Sequence, residues 1–183
     1  MAKTKKVEKI GYIEINPLMM TNAIRIYMHW KQLDGEVRTI STRGVNFPGE
    51  LSELFACYVL GYLWKKDGEG DAFDPKTNRI IEMKGSGSDG DDLSSFSPDE
   101  NFDELVFIKA NKDEDAIYIW NTGVNSDELK QIKVNKKQTL ADKQAEGNRP
   151  RFSVQKKIIA AKGLTPDYKF DILSREIIDL KKK

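Results

Sequence analysis

The segment from Glu50 to Trp64 limits the possible folds more than any other part of the chain. Leu51, Leu54, Phe55, Tyr58, Val59, Tyr62 and Leu63 recur at i, i+3, i+4 and i+7 spacing, so a helix here carries one apolar stripe that must be covered. The residues that follow supply the cover. DAFD and RIIEMK flank a turn, PKTN, and form a hairpin, and LVFIKA at 105–110 and AIYIWN at 116–121 are short β-rich runs of the kind found inside sheets. The pattern predicts an α/β (α+β) fold with a central mixed β-sheet flanked by helices.

The rest of the chain is read around that unit. KIGYIEI at 9–15 is a short strand. Asn16-Pro17 then offers an N-cap and a first-turn proline for the helix LMMTNAIRIYMHWKQL, with Met20, Ala23, Ile24, Tyr27 and Met28 among its apolar positions and Asp34-Gly35 as its stop. His29, the lone histidine, reads as a packed or surface residue. Asp67-Gly68-Glu69-Gly70 breaks the chain before the hairpin. Residues 126–148 are polar and partly helical, a strand is expected around Tyr168 to Ile172, and the C-terminus ends as a helix or tail. With 183 residues, the chain fits one domain spanning 1–183.

Composition removes several classes. No apolar run approaches the roughly 18 residues of a membrane span, and MAKTKKVEK leads into no apolar signal region, so the expectation is a cytoplasmic protein without a membrane partner. Cys57 is the single cysteine; it excludes an internal disulfide and a thiolate zinc cluster and reads as core filler. A formal net charge of +1 conceals an uneven distribution: residues 67–115 carry 15 acids against 5 bases, and residues 126–183 carry 15 bases against 8 acids. A cation held by carboxylates in one region and phosphates held by another would produce this split, and so would two solvated faces.

The chemistry concentrates in the hairpin. Residues two apart in a strand share a face, so Glu82 and Lys84 point one way while Ile81 and Met83 point the other. If PKTN closes the hairpin, Asp71 returns beside Glu82. Two carboxylates then form a hard-oxygen site suited to Mg²⁺, with substrate phosphate oxygens and water completing it. A nearby lysine, here Lys84, can orient or deprotonate the attacking water. The bland alternative is a surface hairpin with an ordinary ion pair and a turn aspartate.

The hairpin GDAFDPKTNRIIEMKGS resembles the active-site hairpin of PD-(D/E)xK nucleases, in particular small type II restriction endonucleases. The helix GELSELFACYVLGYLW, with an acid near its start, and the two following strands extend the similarity over about residues 46–121, the catalytic core that the resemblance implies. Gly70 stands where the family name has proline. RGVNFPGELSE and NRPRFSVQKKII are similar to segments of enzymes that cut GCNGC-type sites. The resemblance implies a restriction-endonuclease-like fold and Mg²⁺-dependent, sequence-specific hydrolysis of double-stranded DNA, with Mn²⁺ able to substitute. Asp71, Glu82 and the Met83 backbone carbonyl would hold the metal, Lys84 would serve the water, and Glu53 would be an auxiliary catalytic carboxylate acting through water. A homodimer and a cognate DNA methyltransferase as system partner are also implied.

DNA contacts need positive charge for phosphates and hydrogen-bonding side chains for base edges. Arg149, Arg151, Ser153, Gln155, Lys156 and Lys157 qualify within a basic C-terminal part, about 126–183. The loop after the ExK strand offers Ser86, Ser88, Ser94, Ser95 and Ser97, with Phe96 able to enter a groove. Arg43 and Asn46 precede the glutamate helix. The rival readings are a structure-specific repair or recombination nuclease, a non-catalytic DNA-binding module, and a small-molecule-binding domain. The last lacks a Gly-rich phosphate loop between strand and helix.

Overall fold

The computed structural model describes residues 11–65, 70–88, 90, 92–97 and 101–182. Along the chain the elements are β1 (Tyr12–Glu14), α1 (Pro17–Arg38), α2 (Gly49–Leu60), β2 (Leu63–Lys65), β3 (Ala72–Asp74), β4 (Arg79–Ser86), β5 (Ser94–Ser95), β6 (Glu104–Asn111) and β7 (Ala116–Asn121). They continue with α3 (Ser126–Lys130), α4 (Leu140–Ala145), β8 (Arg151–Phe152), a π-helix (Gln155–Ala160), β9 (Tyr168–Asp171) and β10 (Ile177–Asp179). Eight strands form one sheet in the order β1-β2-β3-β4-β6-β7-β9-β10, and β5 pairs with β8 in a separate ribbon. Every pairing in the large sheet is antiparallel except β4 with β6. The sheet is therefore mixed and draws strands from both sides of the 46–121 interval.

Both faces of the sheet are covered. Val106 and Ile108 of β6 join the cluster under α1 and α2, with Phe55, Ala56, Cys57, Ile81 and Met83. Leu105 and Phe107 turn to the opposite cluster, which contains Phe96, Leu129, Leu140, Phe152, Val154 and Ile158. Two-sided burial explains why LVFIKA is apolar without alternation. Cys57 lies in the first cluster, and burial pushes its thiol well above the ordinary range. His29 is exposed.

The hairpin forms as the turn chemistry predicts. Asp74 accepts from Lys76 N (2.9 Å) and Thr77 Oγ1 (2.5 Å), and Asn78 takes the left-handed conformation at φ 59° that asparagine tolerates. Asn16 caps α1 by accepting from Met19 N at 3.0 Å.

Three boundaries differ from the sequence reading. First, α1 continues through Asp34-Gly35 to Arg38. Asp34 is buried (2% exposed) and is engaged by Arg38, Lys112 and Val45 N, so its carboxylate does not compete for the helix backbone; Gly35 costs about 1 kcal/mol but does not end the helix. Second, α2 stops at Leu60 instead of Trp64. Gly61 caps it at φ 70°, and Leu63 and Trp64 pair with β1 and β3. Third, residues 177–179 form the edge strand β10, paired with β9. The expected residues 9 and 10 of the first strand and Asp67 to Glu69 of the break lie outside the described residues.

Asp34 is the charged hub behind the α1–α2 connection. Burial alone would raise its pKa, but hydrogen bonds from the Lys112 and Arg38 side chains and from Val45 N hold it below the usual carboxylate range. A depressed native pKa contributes stability that is present above the unfolded value and is lost as pH falls through the native one. Asp34→Ala should therefore lower stability at neutral pH by about 2–4 kcal/mol by leaving Lys112 and the Val45 N–H without this acceptor. Urea unfolding should show the gap narrowing in acid; a gap independent of pH would contradict this role.

Candidate active site

The site begins where β4 loses one neighbour. β6 pairs with β4 from Ile81 to Ser86, whereas β3 pairs with it only from Arg79 to Ile81. Past Ile81 the β3-side edge turns to Asp71. The Asp71 N–H donates to Ile81 O at 2.9 Å, and Asp71 Oδ2 accepts from Met83 N at 2.6 Å. The Met83 carbonyl lies on the same strand edge as its N–H. Lys65 N donates to Asp71 O at 2.9 Å, so β2 and β4 hold Asp71 from both sides. Gly70, just before it, has φ 68°. Proline cannot adopt that angle, and a Cβ there would lie 2.5 Å from Ile80 Cγ2, which explains the glycine at this position.

Glu53 arrives from the first turns of α2 and accepts from Trp64 Nε1 at 2.8 Å. Burial, and then the charge of Asp71, push its pKa up to about 7. Glu82 is 3% exposed and forms an ion pair with Lys84. Both lie on the face of β4 opposite α2, in register with Leu105 and Phe107. The Lys84 ammonium also lies 5.3 Å from the centre of the Phe96 ring.

A cleft of about 950 Å³ opens here, lined by Glu53, Asp71, Met83 and Lys84. Glu82, paired with Lys84, does not line it. The walls bring together Arg43, Asn46, Ser86, Ser88, Ser94, Ser95 and Arg151. Ser97, Arg149, Ser153, Gln155, Lys156 and Lys157 lie outside. Ser97 O γ accepts from Arg149, and Ser153 Oγ donates to Asp92 at 2.8 Å. Lys156 and Lys157 are exposed.

The described residues of the 86–97 loop are anchored, which their polar sequence does not suggest. β5 pairs with β8, and buried Asp92 accepts from Val154 N, Gln155 N, Ser153 Oγ and Ser94 Oγ at 2.8–3.0 Å. Asp92 thus caps the turn that opens the π-helix. Phe96 is fully buried and does not project into a groove, because it packs on Phe152 at 4.9 Å. Sequence reasoning also passed over Trp64, which it placed in a helix, and the cleft-lining Arg38 and Thr42. The signal for Trp64 was Gly61, a helix-ending residue.

Among the described residues, no group of three or more His, Cys, Asp or Glu forms a ready-made metal cage. The donor set instead suits a hard divalent cation that keeps water and substrate oxygens as ligands. Two carboxylates, Glu53 and Asp71, crowd a desolvated corner strongly enough to hold a proton on one of them near neutrality, and a divalent cation would relieve that repulsion.

A mixed sheet covered on both faces, with carboxylates and an ammonium at the open edge of its parallel pair, is a restriction-endonuclease-like core. Residues 15–161 match the Bsp6I restriction endonuclease family. The Type II restriction enzyme Bsp6I of Bacillus sp. (strain RFL6) is 44% identical over 169 residues, covering 92% of this chain and 97% of that enzyme. The chain belongs to the Bsp6I restriction endonuclease family and is a type II restriction endonuclease, a class that uses a divalent metal. No solved structure matches the chain. No helix among the described residues is long and apolar enough to cross a membrane.

The raised Glu53 pKa has a measurable consequence. The native state retains a proton that the unfolded chain releases near 4.5, so this group's contribution is fully present below that value and declines as pH rises through about 7. In EDTA, the melting temperature should fall between mildly acidic and mildly alkaline pH, and Glu53→Gln should flatten that fall. An unchanged slope in the variant would rule out Glu53 as its source.

Proposed function

We propose that the enzyme hydrolyses phosphodiester bonds in double-stranded DNA with Mg²⁺, for which Mn²⁺ substitutes, through a PD-(D/E)xK centre. Asp71, Glu82 and the Met83 carbonyl would hold the ion, with Glu53 reaching it through water. When bound, the metal lowers the pKa of a bound water and offsets charge growing on the phosphate. The observation that carries this reading is that Asp71, Glu53 and Lys84 face one cleft at the unpaired edge of β4.

The chain's own groups divide the work. The Met83 N–H fixes the orientation of the Asp71 carboxylate, and Trp64 does the same for Glu53. The Lys84 ammonium orients the attacking water and offsets negative charge as that water becomes hydroxide-like. The burial of Glu82 keeps bulk water from its carboxylate. Arg43, Asn46, Arg151 and Ser86, Ser88, Ser94 and Ser95 would contact the DNA across the cleft. Arg149, Lys156 and Lys157 would hold phosphates farther out, next to Gln155, while Ser97 and Ser153 secure Arg149 and Asp92. A homodimer would cut one strand per subunit at a two-fold, GCNGC-type site, with a methyltransferase protecting host DNA. The whole chain acts as one nuclease domain in this reading.

Incubated with phage DNA and Mg²⁺ or Mn²⁺, the enzyme should produce discrete fragments that EDTA prevents. Asp71→Ala, Glu82→Ala and Lys84→Ala should each abolish cutting, with circular dichroism unchanged. Glu53→Gln should slow it by roughly 10- to 100-fold, the usual effect of an outer-shell metal partner. Near-normal cleavage by any of the first three folded variants would refute the centre, and branch-dependent nicking in place of fragments would indicate a structure-specific nuclease.

A further inference from the structure

Phe96 lies beside the catalytic lysine, yet it reaches neither the cleft nor the metal donors. Its ring is fully buried and stacked on Phe152, with centroids 4.9 Å apart and planes inclined by 18°. Its backbone is fixed as well, because Phe96 N donates to Pro150 O at 3.2 Å and the preceding residues form the β5–β8 ribbon. The Lys84 ammonium lies over the same ring, 5.3 Å from its centre. We infer that Phe96 is a positioning residue: its π face holds the Lys84 ammonium at the reaction site.

The physical need is specific. A lysine side chain ends in a compact charge on a flexible four-carbon stem, and loses much rotamer freedom when fixed in one place. Glu82 supplies one partner, but in the proposed reaction that carboxylate also serves the metal, and its attraction for the ammonium is then shared. An aromatic face attracts a desolvated ammonium through its quadrupole. It neither accepts a proton at working pH nor competes as an oxygen donor for a hard cation, so its hold on Lys84 persists when Glu82 is engaged. Stacking on Phe152 and anchoring to β8 keep the ring still. The loop whose serines line the cleft thus also sets the lysine.

This inference rests on the catalytic reading of Lys84, and the experiment separates the two. Replacing Phe96 with 3,4,5-trifluorophenylalanine keeps the ring's shape while withdrawing negative charge from its face. Phe152→Leu serves as a packing control, since it removes the stack without removing the face under Lys84. On a duplex cut by the wild type with Mg²⁺, the trifluoro protein should show a single-turnover rate roughly 3- to 30-fold lower, as expected from losing a desolvated cation–π contact. Its DNA affinity with Ca²⁺ in place of Mg²⁺ and its melting temperature should stay near wild type. Phe152→Leu should lower the melting temperature more and the rate less. A wild-type rate in the trifluoro protein, or rate losses that track melting temperature equally in both variants, overturns the role of Phe96. If Lys84→Ala is active, the reading of the lysine itself fails; if Lys84→Ala is dead and the trifluoro protein is unimpaired, only the Phe96 inference fails.

Discussion

The unequal pairing of β4 on its two edges is the constraint on which the site depends. β6 runs beside it through Ser86, while β3 leaves it after Ile81. A backbone donor at Met83 is thereby released to the Asp71 carboxylate. A buried N–H left without a partner is costly, so the end of the ladder and the placement of the acid are one arrangement. If β3 were longer, Met83 would pair with backbone and Asp71 would lose the bond that aims it.

Two electrostatic pairs meet at the open edge of this strand. Glu53 and Asp71 repel each other in a desolvated corner. Glu82 and Lys84 neutralise each other at strand positions in register with Leu105 and Phe107, and the Lys84 charge also opposes the rise in the Glu53 pKa. One cleft therefore combines excess negative charge with a cation. Close packing brings the layers together: a Cβ at Gly85 would stand 2.5 Å from Ser52 Cβ, so α2 approaches β4 as closely as it does only because the residue after Lys84 has no side chain.

What could be read in the sequence was what depends on neighbours along the chain. The PKTN turn is set by Asp74 and Asn78 within a few residues, the α1 cap by Asn16, and the apolar stripe of α2 by its own spacing. The family resemblance of GDAFDPKTNRIIEMKGS carried the site's residue roles. What was misread depends on distant partners. Asp34 looks like a helix stop until Lys112 and Val45 bind it. Asp92 carries no local sign of its buried role, which Val154 and Gln155 set by donating to it. Phe96 looks like an exposed loop aromatic until Phe152 stacks on it. Residues 177–179 become a strand because β9 offers an edge. Trp64 was the local exception: Gly61 marked the end of α2, but the apolar spacing continued past it.

Anomalous diffraction from crystals of the enzyme with uncleavable duplex and Mn²⁺ would locate the metal. The manganese peak should fall within about 2.5 Å of oxygens from Asp71, Glu82 and the Met83 carbonyl. A peak held by other residues, or one that leaves Asp71 and Glu82 outside its coordination shell, would refute this centre.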